Sequence, residues 1–228
     1  MRDSLLEEGL IKLGLDVMLI QPQLARYVEE IELFNQAYGL VKVSNRRELI
    51  VKHVFDSLAP LSVMRNLLET SAGPEGNSAV RRIADAGSGA GLPGIPLAVC
   101  MPGAVFTLIE RIGRRAGFLR DAVAVLALKN VLVKEAEMEK IKLSPEERFN
   151  LIVFRAFKPL EPAIIKGLFS LLAPEGTLAA YKGRRKSIEE EMIFLKNKAA
   201  WEIIPLEVPF LEEERHLVLI RNYSHVNG

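Results

Sequence analysis

The sequence predicts an α/β domain with a seven-stranded, mostly parallel sheet, preceded by a helical extension. Apolar strand-like runs alternate with helical segments from Arg81 onwards, an alternation typical of parallel strands joined by right-handed crossovers. Two more strand-like runs near the end of the chain are joined by a short acidic loop, which indicates an antiparallel hairpin closing the sheet. With 228 residues and 49% hydrophobic content, the chain can form one such core and an appendage.

The first part of the chain is predicted to be helical, because apolar residues recur at helical spacing up to about Glu69. Asp3 or Ser4 can cap a first helix that ends at Gly14, a second begins after Pro22 and fades near Gly39, and a third begins at about Arg47. Residues 71–78 have the composition of a loop. We therefore expect a helical extension over residues 1–72 and the main domain over residues 73–228.

The main domain has five predicted parallel strands, at residues 83–86, 105–110, 131–134, 151–155 and 177–181. The hairpin strands are predicted at 202–208 and 216–221, and the clearest intervening helices at 115–128 and 162–172. Ligands of parallel sheets bind beyond the carboxyl ends of the strands. The residues that follow each strand are therefore the candidates for a functional site.

Composition excludes several classes of protein. Thirty basic residues against 29 acidic ones give a formal charge of +1, so nucleic-acid binding would require a local basic patch. The single cysteine, Cys100, excludes an internal disulfide and fits a reducing compartment. An acidic amino terminus and the lack of a long apolar run argue against a signal peptide or membrane span. We expect a soluble cytoplasmic protein without a membrane partner.

The strongest motif is the run D-A-G-S-G-A-G-L-P-G at residues 85–94, which follows the first strand and leads into a helix. Its glycines, Gly87, Gly89 and Gly91, allow a sharp turn that brings backbone N–H groups against a ligand, and the helix directs its positive end to the same place. The G-x-G-x-G spacing differs from the dinucleotide pattern G-x-G-x-x-G. It resembles motif I of Rossmann-like class I methyltransferases that use S-adenosylmethionine (SAM).

A second motif supports a nucleoside cofactor. The strand after the glycine loop ends in Glu110, where a carboxylate can accept hydrogen bonds from two ribose hydroxyls. The alternative is a tight turn without a ligand, but strand, loop, helix, strand and acid occur in the required order. The third strand is followed by Ala136 and Glu137, which either hold the adenine edge or form a solvated acidic turn.

Arginine at the end of the fourth strand is the next candidate. A guanidinium directly after a buried strand needs an anionic or carbonyl partner, so Arg155 could hold the cofactor carboxylate or a substrate phosphate. The same turn lacks the N/D-P-P-Y pattern of enzymes that methylate exocyclic amines. Cys100 lies in an apolar helix and is predicted to be structural. A substrate atom that already has a lone pair fits this site, because in-line positioning would then supply most of the catalysis.

Basic residues cluster after three of the predicted strands. They are Arg111, Arg114 and Arg115 after the second strand, Lys158 after the fourth, and Lys182, Arg184 and Arg185 after the fifth. Isolated basic residues usually only solvate a surface, but three clusters at one edge of a nearly neutral protein suggest a polyanionic substrate across the cofactor site. Phe157 could stack on an extruded base, although packing is the more common role of such a residue.

Together these motifs resemble the RsmG (GidB) family of bacterial methyltransferases, which modify a guanosine N7 in small-subunit (16S) ribosomal RNA. The resemblance rests on residues 85–98, with their unusual Pro-Gly and Pro pattern, and on L-I-E at 108–110 and R-R-A-G-F-L at 114–119. K-H-V-F-D-S-L at 52–58 belongs to it as well. It extends from about residue 34 to residue 221.

The resemblance implies SAM as cofactor, with contacts at Gly87, Leu92, Ala136, Glu137 and Arg155. It implies small-subunit ribosomal RNA, the 30S subunit or an assembly intermediate as the partner, and we expect a monomer without a metal site. Guanine N7 has the lone pair inferred above. For His53 and Asp56 a structural role is favoured, while an acid–base pair remains open.

Two other classes of function remain open on the sequence. A nicotinamide-dependent oxidoreductase would use the same loop and Glu110, but its third glycine should come one residue later. A non-catalytic RNA-binding or ribosome-assembly protein could retain the fold without consuming SAM.

Overall fold

The computed structural model describes residues 3–70, 80–155, 161–195 and 199–222. The seven strands within these ranges form one sheet in the order β3-β2-β1-β4-β5-β7-β6. They are β1 (Arg81–Ala86), β2 (Ala104–Glu110), β3 (Val131–Glu135), β4 (Phe149–Arg155), β5 (Leu172–Lys182), β6 (Ala199–Leu206) and β7 (Arg215–Asn222). Strands β1 to β5 pair in parallel, and β7 pairs antiparallel with both β5 and β6. The predicted mostly parallel sheet with a terminal antiparallel hairpin is confirmed.

Nine α-helical segments occur in the described residues. They are α1 (Ser4–Lys12), α2 (Val17–Tyr38), α3 (Arg46–Leu49), α4 (Asp56–Leu58), α5 (Leu61–Thr70), α6 (Gly94–Cys100), α7 (Gly113–Val125), α8 (Pro162–Leu171) and α9 (Arg185–Met192). Short 3₁₀ turns occur at Met138–Lys140, Pro145–Glu147 and Ile193–Leu195. Among these helices, none combines the length and apolar composition needed to cross a lipid bilayer.

The sheet is covered on both faces. One buried apolar cluster joins Leu24 of α2 and Ile95 of α6 to Ile83 and Phe106 on one face of the sheet. The other cluster joins Leu168 of α8 and Ile188 and Met192 of α9 to the opposite face. Successive strand residues point to opposite faces, which explains why β4 is continuously apolar over residues 151–154. The helices before residue 70 thus share a core with the sheet, and the predicted domain boundary lies outside the described residues.

The second helix begins earlier than the sequence predicted. We expected it to start after Pro22, but α2 starts at Val17, where the Asp16 carboxylate accepts a hydrogen bond from Leu19 N–H at 3.2 Å. Proline in a helix removes one backbone hydrogen bond. Burial of Ile20 and Leu24 on either side offsets that loss. The predicted end is confirmed, because Gly39 adopts the left-handed conformation and donates its N–H to Asn35 O.

The predicted third helix is not a regular α-helix. A π-helical turn, Ile50–Phe55, separates α3 from α4. The wider turn contains Lys52 and His53 and ends immediately before Asp56. Such insertions are rare and occur frequently at functional sites.

Candidate active site

The glycine loop connects the end of β1 to α6 at the carboxyl edge of the sheet. Gly87, Gly89 and Gly91 have φ values of 72°, 57° and 89°, a region that side chains with a Cβ rarely adopt. The N–H groups of Gly87 and Ser88 both donate to Ile109 O of β2, at 2.9 and 3.0 Å. Two backbone hydrogen bonds therefore join the glycine loop to the neighbouring strand, and the loop lies directly after β1, as the sequence predicted.

Two buried polar groups form hydrogen bonds with the backbone of the glycine loop. The Asp85 carboxylate is fully buried, and its Oδ2 accepts a hydrogen bond from Gly94 N–H at 2.9 Å. Burial raises the pKa of Asp85 to about 7, even though that hydrogen bond and Arg155 act in the opposite direction. From the helical region, the Tyr27 hydroxyl donates to Ala90 O at 2.7 Å. The loop conformation thus depends on both α2 and the sheet.

Glu110 connects the loop to the next strand end. The residue is 5% exposed, its Oε2 accepts a hydrogen bond from Gly89 N–H at 2.9 Å, and its Oε1 accepts one from Ile112 N–H at 2.8 Å. A carboxylate has about four lone-pair positions. Glu110 can therefore hold the loop and still accept hydrogen bonds from a ligand.

A cavity of about 240 Å³ lies between the ends of β1, β2, β3 and β4. It contains five of the eight residues predicted to bind a cofactor: Gly87, Glu110, Ala136, Glu137 and Arg155. Gly89, Gly91 and Leu92 do not line it. Two of the predicted RNA-binding residues, Arg111 and Arg115, line this cavity as well. Backbone, carboxylate and guanidinium groups are the chemistry that a nucleoside with an amino-acid tail requires.

A second cavity, of about 540 Å³, adjoins the first at Arg155, which lines both. Five of its lining side chains are cationic and two are carboxylates: Lys42, Lys52, Arg155, Lys182 and Arg215 against Glu48 and Asp56. His53, Tyr181 and Gly183 complete the lining. The excess of cations suits an anionic ligand.

The π-helical turn brings His53 and Asp56 to this second cavity. Arg155 Nη1 donates to Asp56 Oδ2 at 3.0 Å and lies 3.4 Å from His53 O, and Arg215 Nε lies 3.2 Å from Asp56 Oδ1. Burial and the nearby Arg155 charge lower the pKa of His53 to about 4, so the imidazole is neutral at pH 7. Asp56 is ion-paired, and no hydrogen bond joins it to His53 among the described residues.

The predicted RNA-binding residues have different surroundings. Lys182 Nζ lies 2.8 Å from both carboxylate oxygens of Glu191, and Arg185 pairs with Glu189 at 2.9 Å. Arg114 and Arg184 are exposed and form no salt bridge to a described residue. Lys158 and Phe157 lie outside the described residues.

Several residues of the second cavity were not predicted from the sequence. Lys42 and Lys52 belong to the helical region, and Arg215 begins β7, the second strand of the terminal hairpin. The only signal for them was the K-H-V-F-D-S-L segment, which includes Lys52, His53 and Asp56. Cys100, predicted to be structural, is 5% exposed, and burial raises the pKa of its thiol to about 12. No group of His, Cys, Asp and Glu suited to a metal ion occurs in the described part of the chain.

Solved structures with a similar fold include methyltransferases. A SAM-dependent methyltransferase from Aquifex aeolicus has a TM-score of 0.55 and 17% identity, over 76% of this chain and 93% of its own. A human methyltransferase 10 domain containing protein has a TM-score of 0.54 and 13% identity, over 88% and 98%. The strand order, the glycine loop and the acid after β2 define the fold of a class I SAM-dependent methyltransferase.

The sequence comparisons define the family more narrowly. Residues 20–218 match the family GidB, rRNA small subunit methyltransferase G, and the chain belongs to this family. Ribosomal RNA small subunit methyltransferase G of Treponema pallidum is 43% identical over 86% of this chain and 83% of its own. The Treponema denticola and Nitrosococcus oceani proteins of the same name are 34% and 37% identical, each over 96% of this chain and 94% of its own.

Proposed function

We propose that this chain transfers the methyl group of SAM to N7 of a guanosine in small-subunit (16S) ribosomal RNA. The proposal rests on one observation: a cavity with the donors and acceptors for a nucleoside cofactor adjoins, through Arg155, a cavity lined by five cationic side chains and two carboxylates. The family of the chain supports the same reaction. The enzyme is thus a SAM-dependent rRNA methyltransferase.

The residues of the smaller cavity fit SAM. Glu110 accepts hydrogen bonds from the ribose hydroxyls, while the Gly87 backbone and the Arg155 guanidinium hold the amino-acid end. Ala136 and Glu137 hold the adenine edge. Gly89 and Gly91 act indirectly by fixing the loop against Glu110 and Ile95. Each of these roles is a part of the proposal.

Positioning supplies the catalysis. When bound, SAM would supply an electrophilic methyl group, and Gly87, Glu110 and Arg155 would hold it where the N7 lone pair can approach in line. Guanine N7 has no proton to lose, so no side chain has to act as a general base. The protein therefore needs to hold the base next to the cofactor cavity and exclude competing orientations. Neutral His53 and ion-paired Asp56 are consistent with this requirement.

The larger cavity receives the target nucleotide, and the exposed cations around it bind the flanking RNA backbone. Lys42, Lys52 and Arg215 line the cavity, while Arg114 and Arg184 extend the basic surface beyond the ends of β2 and β5. Such contacts to phosphate give affinity without sequence readout. The substrate is either the free RNA, the 30S subunit or an assembly intermediate, and the enzyme acts as a monomer.

Transfer of labelled methyl from SAM tests the proposal directly. The RNA comes from small subunits of cells that lack this enzyme, and 7-methylguanosine is located by cleavage specific for that base. We expect label at a single cleavable guanosine, loss of label with Arg155→Ala, and retention with Arg26→Ala, which removes the ion pairs of Arg26 with Glu29 and Glu30 on α2. Free RNA and intact subunits are compared in the same assay.

Other results would point elsewhere. Label on another atom would retain the cofactor assignment and contradict the N7 assignment. RNA binding without turnover of SAM would indicate a binding protein, and tighter binding of NAD than of SAM would indicate an oxidoreductase.

A further inference from the structure

Asp56 is a buried carboxylate held between two guanidinium groups. It is 4% exposed, with Arg155 Nη1 3.0 Å from Oδ2 and Arg215 Nε 3.2 Å from Oδ1. Arg155 ends β4 and Arg215 begins β7, whereas Asp56 follows the π-helical turn. Three distant parts of the chain therefore meet at one carboxylate.

The two arginines serve different cavities. Arg155 lines the cofactor cavity and the cationic cavity, whereas Arg215 and Asp56 line the cationic cavity alone. The side chains of Arg155 and Arg215 are 16% and 24% exposed, so both groups are largely removed from water. Asp56 is the residue through which a change at Arg215 would reach Arg155.

Positioning by this carboxylate has a physical basis. A buried, ionised carboxylate is stable only when cations or hydrogen-bond donors compensate its charge, and an arginine loses considerable rotamer freedom when it is held in place. Asp56 accepts a hydrogen bond from Arg155 and forms an ion pair with Arg215 before a ligand arrives, which lowers the cost of ordering these side chains on binding. A guanidinium has five N–H donors, so Arg155 can contact Asp56 and an anionic ligand at once.

We propose that Asp56 is a positioning residue shared by the two cavities, and that Arg215 thereby strengthens cofactor binding in a cavity that it does not line. This inference rests on the proposed function, because it takes SAM as the ligand of the first cavity. Without Arg215, Asp56 has one guanidinium partner instead of two. The Asp56 carboxylate then interacts more strongly with Arg155. The Arg155 guanidinium consequently has less positive charge available for the carboxylate of the cofactor.

Calorimetric titration of the full chain with SAM, in the absence of RNA, tests this inference. We expect Arg215→Ala to weaken SAM binding about threefold to tenfold, which lies in the lower part of the range measured for residues coupled through a shared partner. Lys129→Ala removes an exposed cation that lines neither cavity, and should leave SAM affinity unchanged. Asp56→Asn combined with Arg215→Ala should bind SAM no more weakly than Asp56→Asn alone.

The inference is overturned if Arg215→Ala binds SAM like the wild type, or if the two substitutions multiply in the double variant. Arg215→Lys keeps the charge and should restore part of the affinity, which a change caused only by lost packing would not show. Thermal unfolding of each variant confirms that it is folded. A wild-type chain that binds no SAM would instead contradict the proposed function.

Discussion

Glu110 accepts a hydrogen bond from the backbone N–H of Gly89, so the acid at the end of β2 holds the glycine loop at the end of β1. Two separate sequence motifs are thereby one structural unit. Because the same carboxylate lines the smaller cavity, the proposed cofactor site and the conformation of the glycine loop share one side chain.

Glu110→Gln should weaken SAM binding. The amide has one acceptor oxygen and no charge, so it cannot accept from both Gly89 and Ile112 as the carboxylate does. Loss of charge-assisted hydrogen bonds of about 1.5–3 kcal/mol each predicts a dissociation constant raised about 10- to 100-fold, measured by calorimetry. Glu135→Gln, which removes an exposed carboxylate paired with Arg120, is the control. Wild-type affinity in Glu110→Gln would exclude the role assigned to this acid.

The local part of this site was predictable from the sequence because its signals are local. A strand that runs into G-x-G-x-G, followed by a second strand that ends in an acid, needs only short-range patterns to be recognised. Five of the predicted residues accordingly line the cofactor cavity.

The cationic cavity was not predictable in the same way. Asp56 and Arg155 are 99 residues apart and meet only because β4 carries Arg155 to the position where the π-helical turn presents Asp56. No pattern within one segment encodes such a pair. The predicted start of α2 was wrong for a related reason, because burial of the residues around Pro22 outweighed the local cost of a proline in the helix.

Gly91→Ala should destabilise the fold more than alanine at another loop glycine. Gly91 has a φ of 89°, and a Cβ there would lie 2.5 Å from Ile95 Cδ1 and 3.0 Å from Leu119 Cδ2. Left-handed backbone and overpacking together predict a loss of about 2–4 kcal/mol in the free energy of unfolding, measured by urea denaturation. Gly103→Ala meets no atom within 4 Å and should change stability by less than about 0.5 kcal/mol. Equal stabilities of the two variants would contradict this account of the loop.

Asp85 predicts a pH dependence of stability. Burial raises its pKa from an ordinary value near 3.8 to about 7, so between these pH values the folded state binds a proton that the unfolded state has lost. Its contribution therefore makes the protein less stable as the pH rises from about 4 to 7, by at most about 1.4 kcal/mol per pH unit. Asp85→Asn removes this contribution. The free energy of unfolding of the variant, relative to that of the wild type, should therefore rise from about pH 4 to pH 7. Urea denaturation at several pH values measures this difference. If the two proteins show the same dependence on pH, the pKa of Asp85 is not elevated.

The exposed arginines beyond β2 and β5 predict the salt dependence of RNA binding. Arg114 and Arg184 form no salt bridge to a described residue, so each is available to a phosphate without first breaking an ion pair. Each phosphate contact contributes about one to the slope of log affinity against log salt concentration. Arg114→Ala and Arg184→Ala should therefore each reduce that slope by about one, and the double variant by about two, in filter-binding assays with small-subunit RNA.

The control is Arg26→Ala, whose guanidinium already pairs with Glu29 and Glu30, and which should leave the slope unchanged. Because both substituted side chains are exposed, the variants should unfold at the wild-type temperature, and an unaltered slope in the double variant would place the RNA on another surface.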